Sequence, residues 1–386
     1  MSVDTLTQPS QVTRPLVTTL KSGLDAPICL TWELTYACNL QCVHCLSSSG
    51  QRDERELTTA EAKRVLDELR AMQVFYINIG GGEPMVRRDF FELIEYAVTP
   101  RNGADGIGVK FSTNGAFIDE VNARRLAAMD YLDIQISIDG IDAVTNDAVR
   151  GVGSYAMARR AMDNLAAADF GPFKISVVAT RHNVSQLDDF KALADSYGAQ
   201  LRLTRLRPSG RGADTWDDLH PTQAQQREIY NWLMMHGEGG GETAVLTGDS
   251  FFHLNALGDP LPGLNMCGAG RVVCLIDPVG DVYACPFVIH DEFRAGNLRD
   301  EGGFGRIWRE SDLFTSLREP QSAGACASCG AFDACQGGCM AAKFFTGLPL
   351  AGPDPECVIG NGATAVPIAL KPRPAADHSK PARRVQ

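Results

Sequence analysis

Thr35-Tyr36-Ala37-Cys38-Asn39-Leu40-Gln41-Cys42-Val43-His44-Cys45 decides how this chain is read. Three cysteines spaced C-x3-C-x2-C fit on one short loop and can turn their sulfurs toward a common centre. Three thiolates hold three irons of a [4Fe–4S] cube, because each iron takes its own outer ligand, and one iron stays open. An open metal position is what chemistry requires. The same spacing also suits a zinc knuckle or scattered structural cysteines.

Working outward, an apolar run from Val74 to Ile79 reads as a buried strand, and Gly80-Gly81-Gly82-Glu83-Pro84 follows it. Consecutive glycines let a backbone approach a ligand closely, and Glu83 adds an acceptor there. Without the cysteines this would be an ordinary strand-to-helix turn. Lys110-Phe111-Ser112-Thr113-Asn114-Gly115 closes another strand with small polar residues, and Ile136-Ser137-Ile138-Asp139-Gly140 closes the next. Hydroxyls and a carboxylate at the carboxyl ends of successive parallel strands suit a ribose and an amino-acid moiety. Each of these residues, taken alone, is equally a cap or turn residue.

The alternation of strand and helix sets the fold class as α/β. Expected strands are Ile28–Leu34, Phe75–Ile79, Gly108–Ser112, Leu132–Ile138, Phe173–Val178 and Gln200–Leu206. Expected helices between them are Thr58–Met72, Arg88–Val98, Asp119–Ala128, Ser154–Ala168 and Val184–Tyr197. Thr58-Thr59-Ala60-Glu61 has the form of a capping box that opens the first helix. Short apolar strands between amphipathic helices imply a parallel sheet covered by helices.

Composition narrows the function classes. The 386 residues allow two or three domains, and the formal charge of −11 argues against a nucleic-acid or membrane surface as main partner. Met1 to Leu20 is polar and lacks the apolar core of a secretory signal, and no run of 18 apolar residues exists. Twelve cysteines without such a signal point to a reducing compartment, where thiolates bind metal instead of pairing. A cytoplasmic protein is expected. The glycine-rich Gly237 to Glu242 reads as a flexible surface loop, and Lys371 to Gln386 has too few apolar residues to fold.

Eight of the twelve cysteines lie between Cys267 and Cys357. Cys267 and Cys274 precede Gly280 and Cys285; then come Cys326-x2-Cys329-x5-Cys335-x3-Cys339, and finally Cys357. Eight thiolates can fully ligate two further [4Fe–4S] clusters, or alternatively a pair of zinc ribbons. Cys29 falls in the first strand between Ile28 and Leu30 and reads as an inert buried thiol.

The loop from Thr35 to Cys45, the Gly-Gly-Glu-Pro turn and the two polar strand ends together resemble the radical S-adenosylmethionine (SAM) enzymes. The second cysteine set resembles their SPASM extension. The stretches Trp32 to Cys38, Asn78 to Pro84, Leu206 to Asp214 and Cys339 to Gly347 are similar to one subgroup, the mycofactocin maturases. The resemblance implies a partial (β/α)6 TIM-like barrel with a C-terminal cysteine-rich SPASM domain. It divides the chain into a leader (1–27), a radical SAM core (28–236), a linker (237–266), a two-cluster SPASM domain (267–360) and a disordered tail (361–386).

The same resemblance assigns the site residues. Cys38, Cys42 and Cys45 would hold the cluster on whose open iron SAM binds. Gly81, Gly82, Glu83, Ser112, Asn114, Ser137 and Asp139 would contact SAM. Cys267, Cys274, Cys285 and Cys339 would hold one auxiliary cluster, and Cys326, Cys329, Cys335 and Cys357 the other. Where relatives often carry an aromatic residue against the adenine, this chain has His44, whose imidazole can also stack. The implied reaction is oxidative decarboxylation of the C-terminal tyrosine of a small precursor peptide, then a C–C cross-link to the penultimate valine. The implied partners are that precursor ending in Val-Tyr, an electron donor and a separate small recognition protein, since about 27 residues before the first strand are too few for a fused recognition domain. Other readings are a SPASM maturase that makes thioethers or activates sulfatases, and a non-catalytic Fe–S protein.

Overall fold

The computed structural model describes residues 23–101, 103–236, 245–247, 267–319, 321–330 and 332–357. Nearly all of the expected leader, the glycine run 237–242 and the tail beyond 357 lie outside the described residues.

The expected strands form with ends shifted by a residue or so: β1 (Cys29–Glu33), β2 (Tyr76–Gly80), β3 (Gly108–Thr113), β4 (Leu132–Ser137), β5 (Lys174–Ala179) and β6 (Gln200–Arg205). Each pairs in parallel with the next. The expected helices connect them, from Thr59–Ala71 to Leu187–Ser196. The first opens on the capping box, with Thr58 and Glu61 satisfying each other's backbone N–H. Several helices were not legible beforehand, among them Gln223–His236 and Ala143–Arg150, the latter a short segment capped by the Asp142 carboxylate.

The sheet is wider than six strands. Inside the stretch expected to be a linker, β7 (Val245–Thr247) adds in parallel to β6. At the opposite edge β8 (Val273–Ile276) adds in parallel to β1, and β9 (Asp281–Tyr283) and β10 (Arg294–Asn297) continue antiparallel beyond it. The order is β10-β9-β8-β1-β2-β3-β4-β5-β6-β7, with β10 and β7 as unjoined edges. The barrel is therefore open on one side.

Period-two alternation gives its two faces opposite character. Leu30, Trp32, Ile77, Ile79, Val109, Phe111, Ile134, Ile136, Ile175, Val177, Leu201 and Leu203 are all buried beneath the helices. Burial of each such side chain contributes about 1.5–3 kcal/mol. Their neighbours in sequence, among them Glu33, Asn78, Lys110, Ser112, Gln135, Ser176 and Arg202, line a cavity of about 590 Å³. A closed barrel fills its interior with apolar layers. This one keeps a polar chamber.

The cysteine-rich segment is stitched to the mouth of that chamber. The Tyr36 hydroxyl donates to Asp277 Oδ2 at 2.8 Å, and Leu57 N–H donates to the Pro278 carbonyl. No helix among the described residues is long and apolar enough to cross a membrane.

Candidate active site

Cys38, Cys42 and Cys45 all face the chamber at the carboxyl ends of the strands, together with Gly81, Gly82, Glu83, Ser112, Asn114 and Ser137. The loop between β1 and its following helix is held there by backbone contacts that only glycine permits. Gly82 N–H donates to the Thr35 carbonyl at 2.7 Å and Glu83 N–H to Ala37 at 2.9 Å. A Cβ on Gly82 would lie 2.0 Å from the Ala37 oxygen. Gly210, at φ +55, also lies against the Cys45 and Leu46 carbonyls, each 2.4 Å from an added Cβ. Arg211 completes the clamp, donating to the carbonyls of Cys42 and Ser49 at 2.8 Å. The role of this Gly210–Arg211 turn was missed from sequence, where it registered only as part of a family likeness.

One residue expected to contact SAM lies elsewhere in the structure. Asp139 does not line the chamber; it is fully buried behind it. There it pairs with Arg150 Nε at 2.7 Å and His44 Nε2 at 3.0 Å and accepts the Val178 N–H. Burial alone would raise this carboxyl, but Arg150 and His44 hold it well below the usual range. An ionised Asp139 thus fixes His44, between two of the cysteines, and the ring presents Nδ1 without a hydrogen-bond partner. His44 is buried on the chamber wall, not facing solvent.

Glu83 sits beside the glycine turn. It lines the chamber, yet its carboxylate is spent largely on the protein, accepting from the Thr113 hydroxyl, Asn114 N–H and Met85 N–H. Burial pushes it up to about 7, and those hydrogen bonds offset part of the shift. It locks the glycine turn to the end of β3, while Asn114 donates to Asn39 in the cysteine loop at 2.9 Å. Ser112 accepts from Gln135 Nε2 at 3.0 Å, and Gln135 Oε1 and Glu33 Oε2 are left without partners on the chamber wall.

Glu33 yields a test. Burial, then the Asp277 charge, pushes its carboxyl up to about 8, against which Ser47 hydrogen-bonds in the opposing sense. A carboxyl raised from 4.5 keeps its proton in the folded state while the unfolded chain has lost it. The stability this group contributes is full below about pH 4.5, declines as pH rises through the interval, and is lost above about pH 8. Glu33→Gln removes the titration, so its stability relative to wild type should grow from pH 5 to pH 8 by on the order of a few kcal/mol. Urea unfolding of reconstituted protein at both pH values measures this, and an equal gap at the two would refute it.

The remaining cysteines occupy the C-terminal segment. Cys326 feels the charges of Cys357 and Cys329, and Cys335 feels Cys357 and Cys326, with burial pushing its thiol up to about 12. Cys339 is fully enclosed and feels Cys267. Cys274 lies in β8 in register with Leu30 and has Cys29 and Arg318 as its charged neighbours. Cys285 follows β9 and is buried. Cys29 is half-buried and lines the chamber, so the expectation of a core thiol is corrected. Among the described residues no three His, Cys, Asp or Glu side chains converge as ligands of a single metal ion.

A half-open α/β barrel whose mouth gathers three thiols beside a close-packed glycine turn is the architecture of a radical SAM enzyme. Residues 32–194 match the family model of the radical SAM superfamily, and residues 267–330 match that of an iron-sulfur cluster-binding domain, SPASM. Curated relatives include the mycofactocin maturase MftC of Mycolicibacterium smegmatis, 67% identical over 95% of this chain and 91% of the relative. That of Mycobacterium ulcerans is 66% identical, covering 95% and 98%. Among solved structures, Streptococcus suis SuiB bound to S-adenosylmethionine aligns with a TM-score of 0.68 at 17% identity, over 88% of this chain and 79% of SuiB. That likeness shows the fold. The chain belongs to the mycofactocin maturase family of radical SAM enzymes.

Proposed function

We propose that this enzyme decarboxylates the C-terminal tyrosine of a precursor peptide ending in Val-Tyr and then bonds the shortened end to the valine. The observation that carries the reading is the shared chamber. The cysteine loop forms one wall, the polar strand ends a second, and Pro286 and Phe287 of the cysteine-rich segment a third.

The residues present fit the implied cofactors. Cys38, Cys42 and Cys45 are soft donors on one wall, Gly81 and Gly82 leave room beside them, and His44 and Gln135 offer unpartnered polar atoms to a ligand. A four-iron cluster held by those thiolates, with SAM on its open iron, would supply a 5′-deoxyadenosyl radical. Cys267, Cys274, Cys285 and Cys339, and Cys326, Cys329, Cys335 and Cys357, would hold two more clusters as outlets for the electron released on decarboxylation. Ser112, Asn114 and Ser137 would orient SAM. The buried Asp139–His44–Arg150 group keeps the loop in place and helps exclude water from the radical. An external electron donor and a small peptide-recognition protein complete the system.

Anaerobically reconstituted protein should carry roughly twelve irons per chain with matching sulfide. Given SAM, a strong reductant, the precursor and its carrier, the peptide should lose CO2 and two hydrogens. A second product of unchanged mass, cross-linked between the last two residues, should follow. Omitting the carrier should suppress turnover, because binding energy from remote parts of the peptide positions the reacting tyrosine. Mass spectrometry that finds a thioether product, full turnover without carrier, or stoichiometric zinc in place of iron would overturn the proposal.

A further inference from the structure

The chamber floor carries an excess of positive charge that the described residues balance only in part. Lys110 on β3 and Arg202 on β6 both point inward and line the cavity. They lie two residues before Ser112 and Thr204, so about 7 Å deeper along strands that rise about 3.3 Å per residue. The nearest acid, Asp133, is in register with Lys110 on β4, but its carboxylate is engaged by Lys174 of β5. Three cations thus share one carboxylate. Burial, then the charge of Arg202, brings Lys110 down to about 8. Among the described residues neither the Lys110 nor the Arg202 side chain has a hydrogen bond or ion pair. Enclosed charge without a partner is costly and persists where an incoming group neutralises it.

Two anions would enter this chamber under the function proposed above, on which this inference rests. The carboxylate of SAM belongs at the cluster's open iron, near the glycine turn at the strand ends. The other is the free carboxylate of the peptide. We propose that Lys110 and Arg202 bind the C-terminal carboxylate of the precursor peptide, the group that the first step removes.

The pair therefore selects a chain end over an internal or amidated tyrosine, and it sets the depth to which the tyrosine is inserted. When the carboxylate leaves as neutral CO2, its hold on the two cations disappears with it. The shortened end is then free to shift and bring the valine to the position the tyrosine held. One contact thereby separates two reactions at one site.

Arg202→Gln and Lys110→Gln each delete an unpartnered charge, so neither is expected to unfold the barrel. Each should raise KM for the intact precursor about 10- to 100-fold, the scale of one charge-assisted hydrogen bond. The effect on the second step, started from synthetic decarboxylated peptide, should be at least tenfold smaller. Arg202→Lys should recover part of the loss. Wild-type enzyme given the C-terminally amidated precursor should show a KM deficit similar to that of the Gln variants, which should themselves not distinguish acid from amide. Equal losses in both steps, or an amidated precursor bound by wild type as well as the acid, would overturn the inference. Wild type that leaves the carboxylate on the intact precursor would instead overturn the function reading, and this inference with it.

Discussion

Replacing Cys38, Cys42 and Cys45 together with alanine is expected to abolish deoxyadenosine formation altogether. The three thiols face one chamber from a loop pinned by Gly82, Gly210 and Arg211, and among the described residues nothing else on that wall offers a soft ligand to iron. Cys29 faces the same chamber but from the start of β1, at the opposite end of the strand from the loop. Without the cluster, SAM has neither a docking iron nor an electron source. By contrast, Cys326→Ala with Cys329→Ala alters the cysteine-rich segment and leaves that loop intact. It should retain some uncoupled SAM cleavage while losing peptide product. Chromatographic assay of deoxyadenosine and peptide reads both arms. Reductive SAM cleavage by the triple variant would disprove the assignment of the loop.

Arg205→Leu is expected to cost about 3–5 kcal/mol, the scale for removing one member of a buried ion pair. Arg205 ends β6 and is enclosed with Asp354 and Glu356. Its two terminal nitrogens each lie 3.2 Å from an Asp354 oxygen, and it also bonds Glu356. Asp354 in turn accepts the Cys339 N–H at 2.6 Å, and Glu356 contacts His220 Nε2 at 2.5 Å. One guanidinium therefore fixes the loop that carries Cys357 and the backbone of Cys339. Leucine would leave two carboxylates buried side by side.

The pH dependence has a definite sign. Burial would raise Glu356, but Arg205 and His220 bring it down to about 2. The stability it contributes is present above the unfolded value of 4.5 and lost as pH falls through about 2. In the variant the carboxyls gain by protonating, so the deficit should be largest near pH 7 and shrink on acidification toward pH 3. Anaerobic urea unfolding measures it. A deficit below about 1 kcal/mol at pH 7, or one that does not change with pH, would count against this account.

The core of the fold was legible because hydrophobic alternation reports directly on a two-faced strand. Ile77/Ile79, Val109/Phe111 and Ile175/Val177 mark the covered face at every turn of the sheet. The three cysteines and the glycine turn were legible for the same kind of reason, since spacing along a short loop fixes spacing in space. What stayed hidden depends on distance in sequence. Asp139 looked like a ligand contact at a strand end, but its partners His44 and Arg150 come from a distant loop and from the helix Ala143–Arg150. That helix, short and rich in Thr, Asn, Asp and Val, is held by its cap and by packing more than by propensity. The cations of the floor were unreadable for a different reason. Lys110 and Arg202 occupy inward positions where a closed barrel would be apolar, and only the structure shows that no described side chain pairs with them.

The pairing of β1 with β8 has a consequence in time. β1 is complete at Glu33, while its neighbour on one side begins at Val273, some 240 residues later in the chain. At about 5–20 residues per second, the ribosome takes roughly 10 to 50 s to deliver that neighbour. During this interval the Cys29–Trp32 edge presents unpaired backbone groups to other nascent chains, the hazard of any open strand edge. The three thiols of the loop just beyond it are made early as well. For much of its synthesis the chain thus holds a three-thiol loop beside an uncovered strand edge, and the segment that covers the edge arrives some 240 residues later.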